Sequence, residues 1–246
     1  MKELVKNLGS FVTRPKKPSG YAAVLCYHDI VENQYLDYYT TSFQMFIQQI
    51  LAIQQSSCIV KIDELFIHSY EKTKHKIVLT FDDGLISVAE RVAPFLCAKN
   101  IPFTIFVQVG TLGYPGFLNP QHVIALSSYP NVEIGSHCLT HRRLSTLSEK
   151  EIWSELSRSK EILESITGTK VRYLAYPYGD FDNRVLEIVA GVGYEAAFGT
   201  LEARSLIPPK ELYNINRLTI TAFDTPFSVI KKVTGRYDWV SFFNNR

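Results

Sequence analysis

The sequence predicts a single-domain α/β barrel, and three observations carry that expectation. Short apolar runs alternate with segments of helical period along the chain. Polar motifs recur just after the apolar runs, as they do where a barrel gathers its active site at the C-terminal strand ends. About seven strand–helix units fit the length of a barrel of this kind. No repeat, low-complexity run or linker divides the chain, so residues 21–246 read as one domain behind a polar extension, residues 1–20, that holds Pro15, Pro18 and Gly20.

The elements follow in order. Tyr21 to Tyr27 is a strand of small and apolar residues ending at His28-Asp29. Residues 32–40 are polar and tyrosine-rich, a loop. Ser42 caps a helix whose apolar face holds Phe43, Phe46, Ile47, Ile50, Leu51 and Ile53. Cys58 to Val60 is a short strand, and Ile77 to Phe81 a buried one. Residues 85–99 repeat apolar positions at helical spacing, and Ile101 to Val107 is again a strand. Gly110, Gly113, Pro115 and Gly116 mark a long loop, with Phe117 and Leu118 as candidate cleft-wall residues. Val132 to Ile134 is a strand leading into Gly135-Ser136-His137. Ser148 and Glu151 form a capping box, Leu147 and Ile152 a hydrophobic staple, and Gly168 stops that helix. Val171 to Ala175 is a strand, residues 182–191 a helix, and Tyr194 to Phe198 and Tyr213 to Ile220 are late strands. Pro226 opens a last helix, and Tyr237, Trp239, Phe242 and Phe243 close the chain as packing residues.

Composition removes several function classes. Hydrophobic residues make up 46% of the 246, enough for a sizeable core. The formal net charge is +2, and much of the basic excess lies in the first twenty residues (Lys2, Lys6, Arg14, Lys16 and Lys17 against Glu3). No basic field is left for a nucleic acid. No apolar stretch approaches the ~20 residues of a membrane span, and residues 1–20 lack a signal-peptide apolar region. Either the chain is cytoplasmic, or a leader was removed before this numbering begins and it works in the cell envelope or outside. Cys26, Cys58, Cys97 and Cys138 show no metal-knuckle spacing; the first three lie in apolar contexts and read as reduced core thiols. The sequence leaves the oligomeric state open.

The chemistry concentrates in three stretches. Thr80-Phe81-Asp82-Asp83-Gly84 ends the buried strand with two adjacent carboxylates. On extended backbone they point to opposite sides and can do different jobs. A bound cation lets one ligate while the other stays free as a base. His137 and His141 are spaced i, i+4, so on a helical turn both imidazoles face one ion. One Asp and two His make a three-ligand set for zinc or a similar divalent ion, with positions left for water and substrate. Tyr176-Pro177-Tyr178-Gly179 stands at a third strand end, where a proline-fixed turn can aim the Tyr178 N–H as an oxyanion donor.

Together Thr80–Gly84, Ser136–His141 and Tyr176–Gly179 resemble the motifs of the polysaccharide deacetylases, carbohydrate esterase family 4, over roughly residues 22–220. The resemblance implies a distorted (β/α)7 barrel and a metal-dependent hydrolase that removes acetyl groups from the N-acetylglucosamine units of a glycan. It implies Asp82 as general base and Asp83, His137 and His141 as ligands of a divalent ion, zinc first, with cobalt, nickel or iron as substitutes. Two positions depart from the pattern. Ala175 stands where many members carry an arginine that orients the base, and Asn216-Arg217-Leu218 stands where many carry a late Leu-x-His acid. The Ala-Tyr-Pro-Tyr-Gly form and the early Leu25-Cys26-Tyr27-His28 look like the branch of biofilm poly-N-acetylglucosamine deacetylases. His28 is then the candidate acid, Arg217 the candidate replacement for the missing arginine, and Tyr176, Pro177, Arg217 and Phe117 the candidate substrate contacts.

Rival readings are a non-heme iron oxygenase, which gives Asp82 no task, a catalytically inactive glycan-binding member of the fold, and an amidase on a non-polymeric amide. Glycan identity and linkage are not written in these motifs.

Overall fold

A computed structural model describes residues 20–32, 37–67, 75–207, 209 and 211–238. His68, Trp239, Phe242, Phe243 and the extension up to residue 19 lie outside the described residues. The described chain forms two compact units, the second made of residues 80–199 and 211–215 and the first of the rest.

The first unit centres on β1 (Tyr21–Tyr27), buried along almost its whole length. It pairs antiparallel with β10 (Ser205–Leu206) and parallel with β11 (Leu218–Thr219). β4 (Ser57–Ile59) runs parallel to the start of β5 (His75–Phe81). Helix α1 (Phe43–Ser56) is capped by Ser42, whose side chain accepts the Met45 N–H. Its buried residues are Phe46, Gln49, Ile50 and Ile53, whereas Leu51 is exposed. The apolar stripe thus continues through a glutamine: Gln49 accepts from the Tyr27 hydroxyl at 3.0 Å and donates to the Asp224 carbonyl at 2.5 Å. Helix α6 (Pro226–Val233) opens on Pro226 behind a Thr225 cap. Cys58 is exposed rather than buried.

Two departures lie in this unit. The loop after β1 contains a short parallel pair, β2 (Asp29–Val31) and β3 (Thr40–Ser42), where the sequence suggests irregular chain. The expected strand Tyr213 to Ile220 shrinks to β11 and an isolated bridge at Ile215. Arg217, directly before β11, is wholly buried.

The second unit is a parallel run. The end of β5, β6 (Phe103–Val107), β7 (Val132–Ser136), β8 (Tyr173–Ala175) and β9 (Ala196–Phe198) lie side by side with parallel registers throughout. Parallel pairing brings the C-terminal ends of all of them to one edge, so the residues after β5, β7 and β8 meet there. The helices between them are α2 (Ala93–Ala98), α3 (Pro120–Ser127), α4 (Glu149–Thr167) and α5 (Asn183–Val192). A single π turn, Val88–Val92, leads into α2. Helix α3 is absent from the sequence reading; an Asn119–His122 capping box and Pro120 start it. The Ser148–Glu151 capping box and the left-handed Gly168 stop stand at the two ends of α4.

Candidate active site

The site lies within the second unit, on the edge where β5, β7 and β8 end. Asp83 Oδ1 stands 3.4 Å from His137 Nε2 and 3.3 Å from His141 Nε2, and the two imidazole nitrogens are 3.2 Å apart. Donor atoms at the corners of a tetrahedron with zinc-like bonds of about 2.0–2.1 Å stand about 3.3–3.4 Å apart. The triangle therefore has the size that one divalent ion needs. Its chemistry also fits, because a carboxylate oxygen and two imidazole nitrogens, donor types that suit a divalent ion, lie close together.

The orientation of His137 is fixed from behind. Its Nδ1 lies 2.8 Å from the Ala175 carbonyl oxygen, which places a proton on Nδ1 and leaves Nε2 as the lone-pair donor. Asp82 is buried, and its Oδ2 is 4.0 Å from His137 Nε2, farther out than Asp83. The adjacent carboxylates thus diverge, with Asp83 turned by a left-handed backbone at φ 70° and Gly84 at φ 72°.

The stretch Cys138–His141 is an irregular loop rather than a helical turn. Cys138 and His141 have φ of 63° and 59°, conformations that cost of order 1–3 kcal/mol and persist only when the surroundings over-determine them. The surroundings do so. On one side the N–H groups of Val109 and Gly110 donate to the carbonyls of Cys138 and Leu139 at 3.1 and 2.7 Å. On the other, Glu155 of α4 accepts the N–H groups of Leu139 and Thr140 at 3.0 and 2.8 Å, and the Thr140 hydroxyl as well. Cys138 is fully buried, which pushes its thiol well above the usual range and keeps it protonated.

Tyr178 also has a left-handed backbone, φ 59°, and its exposed ring lies 4.7 Å from the His141 ring. The Arg143 guanidinium covers that ring at 4.5 Å. Asp180 secures the segment by accepting from Ser145 N and Oγ at 2.9 and 2.7 Å. Phe117 is half-buried and bridges to Leu85, two residues beyond Asp83.

Asp82, Asp83, His137, His141 and Tyr178 come together within this unit. Of the expected substrate contacts, Tyr176, Pro177 and Arg217 are buried. The Tyr176 hydroxyl donates to the Tyr213 carbonyl at 2.9 Å and its ring packs 4.8 Å from Phe181, so burial and desolvation push its pKa far up. His28 is half-buried after β1 in the first unit, its ring 4.9 Å from that of Tyr39. Glu155, Gly110 and Arg143 escape the sequence reading. A carboxylate on the buried face of a predicted helix was the one available signal for Glu155.

Comparison with known proteins agrees with this architecture. Residues 69–197 match the family model for polysaccharide deacetylase. A putative polysaccharide deacetylase of Bacillus subtilis, YxkH, is 22% identical over 199 residues, 80% of this chain and 71% of that one. The poly-β-1,6-N-acetyl-D-glucosamine N-deacetylase of Staphylococcus aureus is 26% identical over 179 residues, 67% and 61% of the two chains. The structure of Streptococcus pyogenes deacetylase PplD in complex with acetate superposes with a TM-score of 0.79 at 20% identity, covering 87% of this chain and 98% of that one. The chain spans less than half the length of the fungal relatives it also matches.

The chain belongs to the polysaccharide deacetylase family. Its fold is that family's distorted (β/α)7 barrel, and its class of chemistry is hydrolysis of acetamide C–N bonds. Among the described residues no helix is long and apolar enough to cross a membrane.

Proposed function

We propose that this protein is a metal-dependent N-deacetylase that hydrolyses the acetamide of N-acetylglucosamine units in a polysaccharide or oligosaccharide. The observation that carries this reading is the Asp83–His137–His141 triangle with a second, buried carboxylate, Asp82, just outside it. A metal-binding module has no use for that extra base, and a hydrolase does.

Asp83, His137 and His141 would hold a divalent ion, zinc in this reading, which would supply Lewis-acid polarisation of the carbonyl and lower the pKa of a water. Asp82 accepts the proton of the attacking water as the water oxygen adds to the acetyl carbon. The Tyr178 backbone N–H donates to the developing oxyanion. His28, protonated, gives its proton to the amine nitrogen as the C–N bond breaks, so that acetate and a free amino sugar leave. Phe117 and Tyr178 contribute apolar surface to the bound sugar, and Arg217 stands in for the arginine that Ala175 lacks.

The Staphylococcus aureus relative is named for poly-β-1,6-N-acetyl-D-glucosamine, and this motif form makes that polymer the first substrate to try. The deciding experiment measures acetate release from β-1,6-linked N-acetylglucosamine oligomers, chitin oligomers and peptidoglycan fragments, before and after chelation and with zinc restored. Zinc-dependent release from the β-1,6 series is expected. No release from any of the three, with release from a small acetamide, would move the assignment to a non-polymeric amidase.

A further inference from the structure

The two histidines of the triangle are held differently. His137 Nδ1 lies 2.8 Å from the Ala175 carbonyl oxygen, the rear hydrogen bond that usually fixes a metal-binding imidazole. His141 has no counterpart: among the described residues no carbonyl or carboxylate accepts from its Nδ1. Its side chain is also more exposed, 23% against 3%. The His141 ring meets the Tyr178 ring instead, edge-on at 4.7 Å with the planes 64° apart.

Tyr178 is supported in its turn. The Arg143 guanidinium lies over its ring at 4.5 Å, and Arg143 Nη1 is 3.8 Å from Asp180 Oδ1. Asp180 is anchored by its other oxygen, which accepts the Ser145 N–H and hydroxyl at 2.9 and 2.7 Å. Asp180, Arg143, Tyr178 and His141 thus form a row that ends on one corner of the triangle. The Tyr178 residue is 57% exposed, so the row does not serve to bury it. An exposed ion pair such as Arg143–Asp180 adds little stability by itself. Its effect is to keep a guanidinium over the ring.

We propose that Tyr178 and Arg143 are positioning residues for His141: the stacked pair does for this ligand what the Ala175 carbonyl does for His137. The inference rests on the ligand set of the deacetylase reading. Edge-on aromatic contacts are geometrically specific, and a guanidinium over a ring restricts that ring. Without the row, His141 has to be ordered as the ion binds, and that ordering is subtracted from affinity. Charge alone predicts the opposite. Arg143 is a cation two residues from a ligand of a dication, so repulsion by itself would let zinc bind more tightly once Arg143 is gone.

The test titrates the full chain with zinc against a chelator of known affinity. It is run in sodium nitrate at about 1 M, where a Debye length of about 3 Å screens that repulsion. Tyr178→Ala should weaken zinc binding about threefold to tenfold, and Arg143→Met about twofold to fivefold. Tyr178→Phe keeps the ring and should stay within about twofold of the unsubstituted protein, which separates loss of the ring from loss of the fold. Arg143→Met added to Tyr178→Ala should cost nothing further, because Arg143 acts through the ring. Zinc affinity in Arg143→Met equal to or above that of the unsubstituted protein overturns the proposal. So does a double variant whose loss is the product of the two single losses, or a loss in Tyr178→Phe as large as in Tyr178→Ala. A chain that binds no zinc at all loses the ligand set and this inference with it. Acetate release by the unsubstituted protein is read separately. Its absence beside ring-dependent zinc affinity sinks the deacetylase reading and leaves the positioning pair standing; release with zinc affinity untouched by both substitutions does the reverse.

Discussion

Glu155 holds Thr140 twice, through its backbone N–H at 2.8 Å and through its hydroxyl. The same carboxylate takes the Leu139 N–H at 3.0 Å, so one side chain of α4 fixes the loop between His137 and His141. Removing it frees three donors and a strained left-handed pair at Cys138 and His141. Glu155→Ala should weaken metal affinity about 10- to 100-fold, the range for lost outer contacts that orient ligands. Glu155→Gln keeps an acceptor oxygen and should lose less. Titration with zinc against a chelator of known affinity checks this, and wild-type affinity in Glu155→Ala would remove Glu155 from any positioning role.

Gly110 guards the opposite side of the same loop. A Cβ there would stand 2.5 Å from the Leu139 carbonyl oxygen, which is backbone and already accepts the Gly110 N–H. Gly110→Ala should displace the loop and lower zinc affinity without changing His137, whose Nδ1 contact to Ala175 lies elsewhere. Metal titration of this variant together with Glu155→Ala should show losses that do not add, because both act on one loop.

The ligand assignment separates the two aspartates. His137→Ala, His141→Ala and Asp83→Asn should each lower zinc content. Asp82→Asn should keep zinc and lose about 10²–10⁴-fold in turnover, the usual contribution of a general base. Elemental analysis beside acetate release decides it. An Asp82→Asn protein emptied of zinc beside a fully loaded Asp83→Asn protein would exchange the two roles.

Stability of the first unit should depend on Lys232. Its ammonium donates to Asp224 and to the Thr219 carbonyl, both at 2.6 Å, and both charged groups are buried. Breaking a buried pair by removing one partner typically costs about 3–5 kcal/mol, because the other charge is left uncompensated. Lys232→Met should therefore lower the unfolding free energy by about that much, read by denaturant titration. A loss within error of zero would mean that the hydrogen bonds from Thr221 and Ser228 alone hold Asp224.

Much of this was legible because local signals and tertiary structure agree. The β1 bounds, the Ser42 and Ser148 caps and the Gly168 stop depend on residues within one turn of each other. That Asp82, Asp83, His137, His141 and Tyr178 share one edge was legible because each lies within five residues of a strand end. Parallel pairing carries strand ends to one edge whatever lies between. What was not legible depends on long-range partners. Gln49 looks like a break in an apolar stripe until Tyr27 and the Asp224 carbonyl are beside it. Glu155, on the buried face of α4, has no visible partner, and Tyr176 looks like a cleft residue, until the loops they bind are in place. β2 and β3 consist of three residues each, too few for a period to show.

The assignment of His28 makes the sharpest chemical prediction. An acetamide needs its nitrogen protonated before the amine can leave, whereas an activated aryl ester expels a stable phenolate without help. If His28 supplies that proton, His28→Ala should retain zinc and fold and should lose about 10²–10⁴-fold in kcat on acetamides. It should lose far less on an activated aryl acetate. The packing of His28 against Tyr39 at 4.9 Å offers a control: Tyr39→Phe keeps the ring and should leave the amide-to-ester ratio of kcat near that of the unsubstituted protein. Zinc content, thermal unfolding and the two kcat values are measured for each variant. Equal losses on amide and ester in His28→Ala would assign the residue to packing, and the proton donor would have to be sought elsewhere in the chain.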